Sequence, residues 1–321
     1  MTSPRIGVIG LGSIGQTHVN TWTGVGCAPV AVTDTVPAVR EKAANRGDWR
    51  VFESGEALIS SGEVDIVSIC TPPAFHTDLA IAALNAGLTL LCDKPLAHTL
   101  DDAEAIADAA QDAKGTLHVG FCHRFEPAIM AIRELIKSGT LGTIITLRNR
   151  FAGHMEHPEN TWFAKEAISG GGALADTTIH SIDMFRFLLG DAAQVRSLAS
   201  TQASDLGPKL DVEDTGVILL ANAEGALGVL EASWRTPPGE WAVSVYGTAG
   251  SAMFDYATGT GTVTSSTGES IPLEFETGDR FADEFRHVTQ VWHHGGEPKA
   301  TVHDGVAANR ILAQAYQDCA R

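Results

Sequence analysis

Short apolar runs alternate with segments of helical spacing over the first 120 residues. Several runs are rich in β-branched residues, as strands are: Ile6–Ile9, Pro29–Thr33, 64–70, Thr89–Cys92 and 116–120. Between them, Ala, Leu and Ile recur with the period of a helix, in residues 36–46, 56–60, 76–86 and 100–113. Strands that alternate with helices predict a parallel sheet covered on both faces, which is a doubly wound α/β domain.

The pattern changes after a helical stretch at residues 127–138. Strand-like runs then follow one another, at residues 144–151, 195–202, 215–221, 225–233 and 242–247. Residues 222–225 and 247–250 have the composition of hairpin turns. One helix, residues 172–189, interrupts the strands, and an amphipathic helix at 304–320 ends the chain. We therefore expect an α+β domain with one large, mostly antiparallel sheet.

The length of 321 residues suits two globular domains. We place the first at residues 1–121 and the second at 122–302, with the final helix, 303–321, packing back on the first. Thirty-nine acidic against 22 basic residues give a net charge of −17, which repels nucleic-acid phosphates and anionic lipid surfaces. We therefore expect neither nucleic acid nor a membrane as a partner.

Five cysteines stand far apart and form no C-x-x-C pair: Cys27, Cys70, Cys92, Cys122 and Cys319. Such spacing favours a reducing compartment over a disulfide framework or a structural zinc site. No apolar run approaches the roughly 18 residues of a membrane span. The apolar stretch at the N-terminus is short, broken by glycines and lacks a signal-peptide cleavage site, so we expect a cytoplasmic protein.

A G-x-G-x-x-G motif directly follows the first predicted strand and opens a helical stretch that ends near Thr23. In this motif Gly10 permits the tight turn, Gly12 lets a pyrophosphate approach, and Gly15 allows close packing of helix on strand. The helix N-terminus, with Ser13 and Ile14, offers N–H groups to an anion. The motif predicts a Rossmann dinucleotide site.

The second predicted strand ends at Asp34, 19 residues after Gly15. A carboxylate at this strand end accepts hydrogen bonds from the ribose hydroxyls of an adenosine and repels a 2′-phosphate. The sequence therefore favours NAD over NADP. The alternative interpretation of Asp34, an ordinary turn residue, is weakened because strand, glycines and spacing all agree.

Three further stretches carry polar residues next to predicted turns: Cys70-Thr-Pro-Pro-Ala-Phe-His76, Cys92-Asp-Lys-Pro-Leu96 and Ser169-Gly-Gly-Gly-Ala-Leu-Ala-Asp-Thr-Thr-Ile-His-Ser-Ile-Asp183. With the glycine loop and His118-Val-Gly-Phe-Cys-His-Arg-Phe125, they resemble the Gfo/Idh/MocA family of NAD(P)-dependent oxidoreductases, which includes glucose–fructose oxidoreductase and inositol dehydrogenase. The resemblance covers essentially the whole chain. It departs from the family pattern at Asp93, where the family usually has glutamate.

Oxidation of a secondary alcohol requires a base for the hydroxyl proton and positive charge near the developing alkoxide. Asp176 and His180 stand at i and i+4, so on a helix they share one face, and a carboxylate there orients an imidazole. We expect His180 to be the base, Asp176 to orient it, and Lys94 to supply charge and relay protons. The resemblance implies the same assignment. The alternatives are a solvated helix face and a surface lysine, but the apolar neighbours of His180 indicate partial burial.

Further residues are expected at the cofactor and the substrate. Thr71 and Pro72 are expected along the cofactor, and His76 either beside its ribose or pyrophosphate or as a histidine at a helix start. The resemblance adds Asp93, Lys94 and Cys122 to the cofactor residues. Arg124 is expected at the cofactor or substrate, or as a tie between domains. Hydroxyl-pairing groups and an aromatic ring suit a sugar, and the expected substrate residues beside the catalytic three are Arg124, His154, His157, Asn160, Trp162 and Asp183. The His-Met-Glu-His run lacks the H-E-x-x-H spacing, so we expect no metal.

The leading hypothesis is an NAD-dependent dehydrogenase or reductase that acts on a hydroxyl or ketone of a sugar, inositol or other polyol. One alternative is an NAD-dependent glycosidase that oxidises its substrate transiently. Another is a non-catalytic NAD-binding sensor of the same fold, against which the joint presence of Lys94, Asp176 and His180 counts. The resemblance also implies a homodimer or homotetramer.

Overall fold

The computed structural model describes residues 3–201 and 210–319, so that Gln202, Ala320 and Arg321, which end predicted elements or domains, lie outside the described residues. Contacts between Cα atoms divide the chain into two compact units. Unit 1 comprises residues 1–122 and 280–307, and unit 2 comprises residues 123–279 and 308–321. Within the described ranges, no helix combines the length and the apolar character that a membrane crossing requires.

Unit 1 is built around a six-stranded parallel sheet in the order β3-β2-β1-β4-β5-β6. Its strands are β1 (Ile6–Ile9), β2 (Pro29–Thr33), β3 (Arg50–Val51), β4 (Ile66–Ile69), β5 (Thr89–Cys92) and β6 (Leu117–Val119). Four of the strands are buried along their whole length, β1, β4, β5 and β6. This is the doubly wound sheet that the alternating pattern predicts, and only the two-residue strand β3 was too short to leave a signal.

The helices of unit 1 are α1 (Ser13–Gly24), α2 (Pro37–Ala44), α3 (Gly55–Ile59), α4 (His76–Asn85), α5 (Leu100–Gln111) and α9 (Arg280–His294). Helix α9 lies outside the elements predicted from the sequence, and its residues fall within the predicted second domain. In the structure, Phe285 of α9 is fully buried against α1, with its ring 4.6 Å from Trp22 and 4.8 Å from His18. Residues 280–307 therefore belong to unit 1, which corrects the predicted boundary.

Unit 2 contains an eight-stranded sheet in the order β14-β13-β12-β11-β7-β10-β9-β8, in which only β7 and β10 pair in parallel. Its strands are β7 (Ile144–His154), β8 (Ala192–Ser200), β9 (Thr215–Asn222), β10 (Leu227–Ser233), β11 (Arg235–Gly247), β12 (Gly250–Asp255), β13 (Thr260–Ser265) and β14 (Ser270–Pro272). The two predicted hairpin turns join β9 to β10 and β11 to β12. The large, mostly antiparallel sheet is confirmed, and β12–β14 extend it beyond the predicted strands.

The helices of unit 2 are α6 (Pro127–Lys137), α7 (Glu166–Ser169) and α8 (Ile179–Leu189), while α10 (Val302–Cys319) begins in unit 1 and continues in unit 2. The sequence analysis placed the final helix on the first domain. From residue 308 onward the helix instead contacts β8, where Ser197 N donates to the Asp318 carboxylate (2.8 Å) and Ser197 Oγ to the Ala315 carbonyl (2.5 Å). The later part of α10 therefore belongs to unit 2.

Candidate functional site

The parallel strands of unit 1 end at a common edge of the sheet. Backbone hydrogen bonds join neighbouring ends: Gly10 N donates to Thr33 O (2.9 Å) and Cys70 N to Ile9 O (2.8 Å). Carboxyl ends of parallel strands are where open α/β sheets bind ligands. The predicted cofactor residues that directly follow these ends are Gly10, Asp34 and Asp93, and Thr71 follows β4 by two residues.

The three glycines of the loop after β1 meet different surroundings. Gly10 has a φ of +90°, and a Cβ there would lie 2.7 Å from the Cys70 carbonyl oxygen. A Cβ on Gly15 would lie 2.0 Å from the Gly10 oxygen, so this position excludes any side chain. A Cβ on Gly12, by contrast, would have no atom of residues 3–201 and 210–319 within 4 Å, apart from its chain neighbours. Gly10 and Gly15 thus allow the turn and the close packing after it. Gly12 leaves the backbone open to an approaching ligand.

These surroundings fit a dinucleotide. Helix α1 begins at Ser13 with no side-chain cap from the described part of the chain and no acidic residue in its first turn. Its first N–H groups, at Ser13, Ile14 and Gly15, would hold the pyrophosphate. The Thr71 hydroxyl at the end of β4 is buried, and none of residues 3–201 and 210–319 offers it a hydrogen-bond partner. A buried hydroxyl of this kind needs a partner, which a bound cofactor would supply.

Asp34, at the end of β2, is held by backbone N–H groups from two loops, the glycine loop after β1 and the loop after β2. Its Oδ2 accepts from Leu11 N in the glycine loop (2.8 Å), and its Oδ1 accepts from Val36 N (2.8 Å). Arg40 reaches back to donate to the Asp34 carbonyl oxygen (2.7 Å). The carboxylate is half-buried and has a fixed orientation, which is what recognition of a ribose diol requires.

Replacing Asp34 by asparagine is expected to weaken NADH binding about tenfold and to improve NADPH binding relative to NADH. The amide keeps the shape but removes one acceptor and the charge that repels a 2′-phosphate, and a hydrogen bond to a charged group contributes about 1.5–3 kcal/mol. Fluorescence titration with both cofactors measures the ratio. Asp48→Asn is the control, because it removes an exposed carboxylate of the same unit. If the ratio of NADPH to NADH affinity is the same in Asp34→Asn as in Asp48→Asn, Asp34 does not recognise the adenosine ribose.

His76 begins helix α4, and its ring is fully buried. Nε2 lies 2.8 Å from the Thr71 carbonyl oxygen and Nδ1 lies 3.0 Å from that of Pro95. Both ring nitrogens therefore face backbone carbonyls, and burial lowers the pKa of the imidazole. The ring ties the turn after β4 to the turn that holds Lys94. His76 begins a helix, as one of its two expected roles has it, and a place beside the ribose or pyrophosphate stays a prediction.

The remaining predicted residues of unit 1 lie around the same strand ends. Asp93 and Lys94 are half-buried and directly follow β5, and Pro72 is half-buried and precedes a short 3₁₀ helix, Pro73–Phe75. Cys122 is buried, and burial raises the pKa of its thiol to about 12, so that it is not a thiolate at neutral pH.

One residue of unit 1 that the sequence analysis missed is His18 on α1. It is 2% exposed, and burial lowers the pKa of its imidazole to about 4 although the charge of Asp93 opposes this shift. The ring therefore stays neutral at physiological pH and packs edge-on against Phe285. Its position eight residues after Gly10 in an apolar helix face was the available signal.

In unit 2, Asp176 and His180 follow a glycine turn whose shape depends on the absence of side chains. A Cβ on Gly171, which has a φ of +152°, would lie 1.8 Å from the Tyr316 hydroxyl. A Cβ on Gly172 would lie 1.7 Å from the Glu213 carbonyl oxygen. The chain then forms a π-helical turn, Leu174–Thr178, before α8. The predicted helix at 172–189 is thus correct in position, but its first turn is wider than an α-helix, a feature frequent at functional sites.

Glu213, which the sequence analysis missed, holds this turn. Its Oε2 accepts from Gly172 N (3.0 Å), and its Oε1 accepts from Leu174 N (2.8 Å) and from the Tyr316 hydroxyl (2.9 Å). Burial raises the pKa of the carboxyl group, while these hydrogen bonds act in the opposite direction. A carboxylate at this place caps the N-terminus of the helical segment that carries Asp176 and His180.

Replacing Glu213 by glutamine is expected to lower the free energy of unfolding by about 1–2 kcal/mol. The amide nitrogen cannot accept from a backbone N–H, so one buried donor of the turn loses its partner. Urea unfolding followed by circular dichroism measures the loss, with Glu224→Gln in the exposed turn between β9 and β10 as the control. If both variants unfold alike, the carboxylate does not cap the turn.

The candidate catalytic side chains of unit 2 are half-buried. The Asp176 carboxylate accepts from the Thr177 hydroxyl (3.2 Å), which in turn accepts from the Trp234 indole N–H (3.4 Å). The His180 ring lies edge-on to the ring of His123, with centroids 4.7 Å apart. Asp176 is thus held by Thr177 of its own turn, which Trp234 contacts in turn, and His180 lies against a ring from another element of unit 2.

Arg124 and Asp183, both predicted to bind substrate, form an ion pair with each other. Arg124 Nε donates to Asp183 Oδ2 (2.9 Å) and its Nη2 to Oδ1 (2.6 Å). The side chains are 6% and 2% exposed. The pair joins the 3₁₀ helix Cys122–Phe125 to α8, a pairing that the sequence did not predict, and substrate binding by either residue stays a prediction.

The other predicted substrate residues lie on one segment at the end of β7 and just after it. His154 and Asn160 are exposed, and His157, in a left-handed conformation, lies 3.1 Å from the Glu159 carboxylate. Trp162 stacks on Phe163 with ring centroids 3.9 Å apart. The segment therefore presents polar side chains and an aromatic ring, the groups that sugars require.

Two family models match the chain. The model described as "Oxidoreductase family, NAD-binding Rossmann fold" matches residues 4–121, and the GFO/IDH/MocA C-terminal domain matches residues 129–253. The rhizopine catabolism protein MocA of Rhizobium meliloti is 32% identical over 253 residues, which cover 78% of each chain.

Inositol 2-dehydrogenase of Rhizobium meliloti strain 1021 is 29% identical, covering 98% of this chain and 97% of its own. Among solved structures, levoglucosan dehydrogenase in complex with NADH and levoglucosan has the same fold, with a TM-score of 0.91 and 24% identity over 99% of this chain and 97% of its own. The similarity extends over both units.

Proposed function

The chain belongs to the Gfo/Idh/MocA family of NAD-dependent oxidoreductases, and on this premise we propose that it transfers a hydride between the nicotinamide and a secondary hydroxyl or ketone of a sugar, inositol or related polyol. The observation that carries the proposal is the half-buried pair Asp176 and His180 on a helical segment whose start is capped by Glu213. Relatives named as inositol 2-dehydrogenases and a levoglucosan dehydrogenase support this substrate class.

Each catalytic candidate has a distinct role in this proposal. His180 takes the proton from the substrate hydroxyl, and Asp176, held by Thr177, orients the imidazole and stabilises its cationic form. Lys94 supplies positive charge where the alkoxide develops and relays the proton. NAD, when bound, would supply the acceptor for the hydride. In the reverse direction the same His180 gives its proton to the carbonyl oxygen.

Substrate recognition in the proposal rests on the segment after β7. His154, His157 and Asn160 offer hydrogen bonds to hydroxyl groups, and Trp162 offers an aromatic face to the C–H groups of a sugar ring. We assign the first unit to NAD and the second to substrate and subunit contacts.

The test is the formation of NADH by the purified protein with NAD and a panel of inositols, aldoses and anhydrosugars, followed at the NADH absorbance band. Turnover with one polyol, lost in the Lys94→Ala protein, is the expected result. If NAD binds but no polyol is oxidised, the proposed function is wrong. Release of sugar from glycosides without net NADH would then favour the transient-oxidation glycosidase, and no reaction at all would favour the sensor.

Two further properties belong to the proposal. The five cysteines are unpaired in the structure, which supports a cytoplasmic location. The face of the large sheet in unit 2 exposes apolar side chains on several strands, which supports a homodimer or homotetramer formed through it: Leu198, Leu219, Leu227 and Met253. Light scattering measures the mass, and a monomer would contradict the oligomer.

A further inference from the structure

A second histidine of unit 2 lies against the candidate base. The rings of His123 and His180 are 4.7 Å apart and their planes meet at 72°, so that one ring presents its edge to the other. His123 is 4% exposed, whereas His180 is half-buried. The His123 ring is therefore removed from solvent, while the His180 ring stays accessible to a substrate.

Tyr256 fixes the position of His123. The Tyr256 hydroxyl lies 2.8 Å from His123 Nδ1, and the backbone N–H of Tyr256 donates to the Trp241 carbonyl oxygen at 2.9 Å. A hydrogen bond to one ring nitrogen selects both the rotation of the imidazole and the nitrogen that carries its proton. The Tyr256 hydroxyl therefore helps to select both the rotation and the tautomer of the His123 ring.

Aromatic side chains pack against His123 and Tyr256. The ring of Phe151 lies 5.1 Å from that of His123 at an angle of 32°, and Phe151 itself stacks on Trp241 at 4.5 Å. Phe254 packs edge-on against Tyr256. These contacts hold the phenol and the buried imidazole in one arrangement, so the surface that His180 meets is rigid.

We propose that His123, held by Tyr256, is a positioning residue that fixes the ring of His180 for proton transfer; the inference rests on the proposed function. The second side-chain torsion of histidine is broad, so an imidazole needs neighbours to select one orientation. A base must present its nitrogen to the hydroxyl proton, and small displacements from reactive geometry cost large factors in rate. His123 and Tyr256 come from chain positions 133 residues apart, and they meet only at this site.

The experiment compares Tyr256→Phe, His123→Phe and the double variant with Tyr246→Phe. Each replacement keeps an aromatic ring, and Tyr246 is a half-exposed tyrosine on β11 that serves as the matched control. Single-turnover formation of NADH is expected to slow about tenfold in Tyr256→Phe and at least as much in His123→Phe. The double variant should be no slower than His123→Phe, because both changes remove one and the same restraint. KM for the polyol and Kd for NADH should change less than twofold.

A rate equal to that of Tyr246→Phe, or additive losses in the double variant, would overturn the inference. Nitrogen-15 spectra of the histidine rings give a readout that does not depend on turnover, with His180 assigned from His180→Ala. The His180 signals should shift in Tyr256→Phe and stay in place in Tyr246→Phe. A wild-type chain that oxidises no polyol refutes the proposed function, whereas unmoved His180 signals refute the positioning role.

Discussion

His180→Ala is expected to lower kcat by about 10²-fold or more while NADH still binds with nearly unchanged Kd. A general base contributes about this factor, because without it the hydroxyl proton must leave to water as the hydride departs. The residues that we propose to bind the cofactor belong to unit 1 and His180 belongs to unit 2, so we expect cofactor affinity to be retained. Steady-state rates with the oxidised polyol and fluorescence titration with NADH measure the two quantities.

His303→Ala is the matched control, since it removes an exposed histidine near the start of α10. It should leave kcat and Kd within the error of the wild type. The pH profile adds a second criterion: in the wild type, kcat/KM should rise with pH as the base loses its proton, and His180→Ala should lose this rise. A His180→Ala enzyme with wild-type turnover would remove His180 from the mechanism.

The parts of the site that sequence predicts are those whose chemistry is local. The glycine loop needs Gly15 because the Gly10 carbonyl, five residues earlier, leaves no room for a side chain, and it needs Gly10 because φ there is +90°, so both requirements fall within one short motif. The role expected of Asp34 follows from its position directly after the second strand. The same reasoning explains why the two sheets could be predicted, since strand periodicity and turn composition are short-range signals.

The remaining parts of the site are pairs formed by residues distant along the chain. Glu213 caps a turn 39 residues earlier, and Tyr256 holds a histidine 133 residues earlier. Neither partner has a pattern of its own, because a buried hydrogen bond depends on where the sheet places both residues. Helix α9 is different: Phe281, Phe285 and Val288 recur at helical spacing, so a signal was present in the sequence.

Loss of one partner of the Arg124–Asp183 pair is expected to cost unit 2 about 3–5 kcal/mol of unfolding free energy. Both side chains are nearly inaccessible to solvent, and removing one takes from the other its buried partner of opposite charge. Asp183→Asn preserves the size of the side chain, so that its effect reports the lost charge rather than a cavity. Urea unfolding by circular dichroism measures it against Glu134→Gln, which breaks an ion pair exposed on α6.

The double variant Arg124→Met and Asp183→Leu distinguishes a structural pair from two independent contributions. If the pair acts as a unit, replacing both charges by apolar groups leaves neither charge buried without the other, so the double variant should be more stable than either single variant. The Phe187 ring, 5.1 Å from the Arg124 guanidinium, gives the methionine an apolar neighbour. If the losses of unfolding free energy in the two single variants instead add in the double variant, the two side chains act independently. The assignment of both to substrate binding would then regain support.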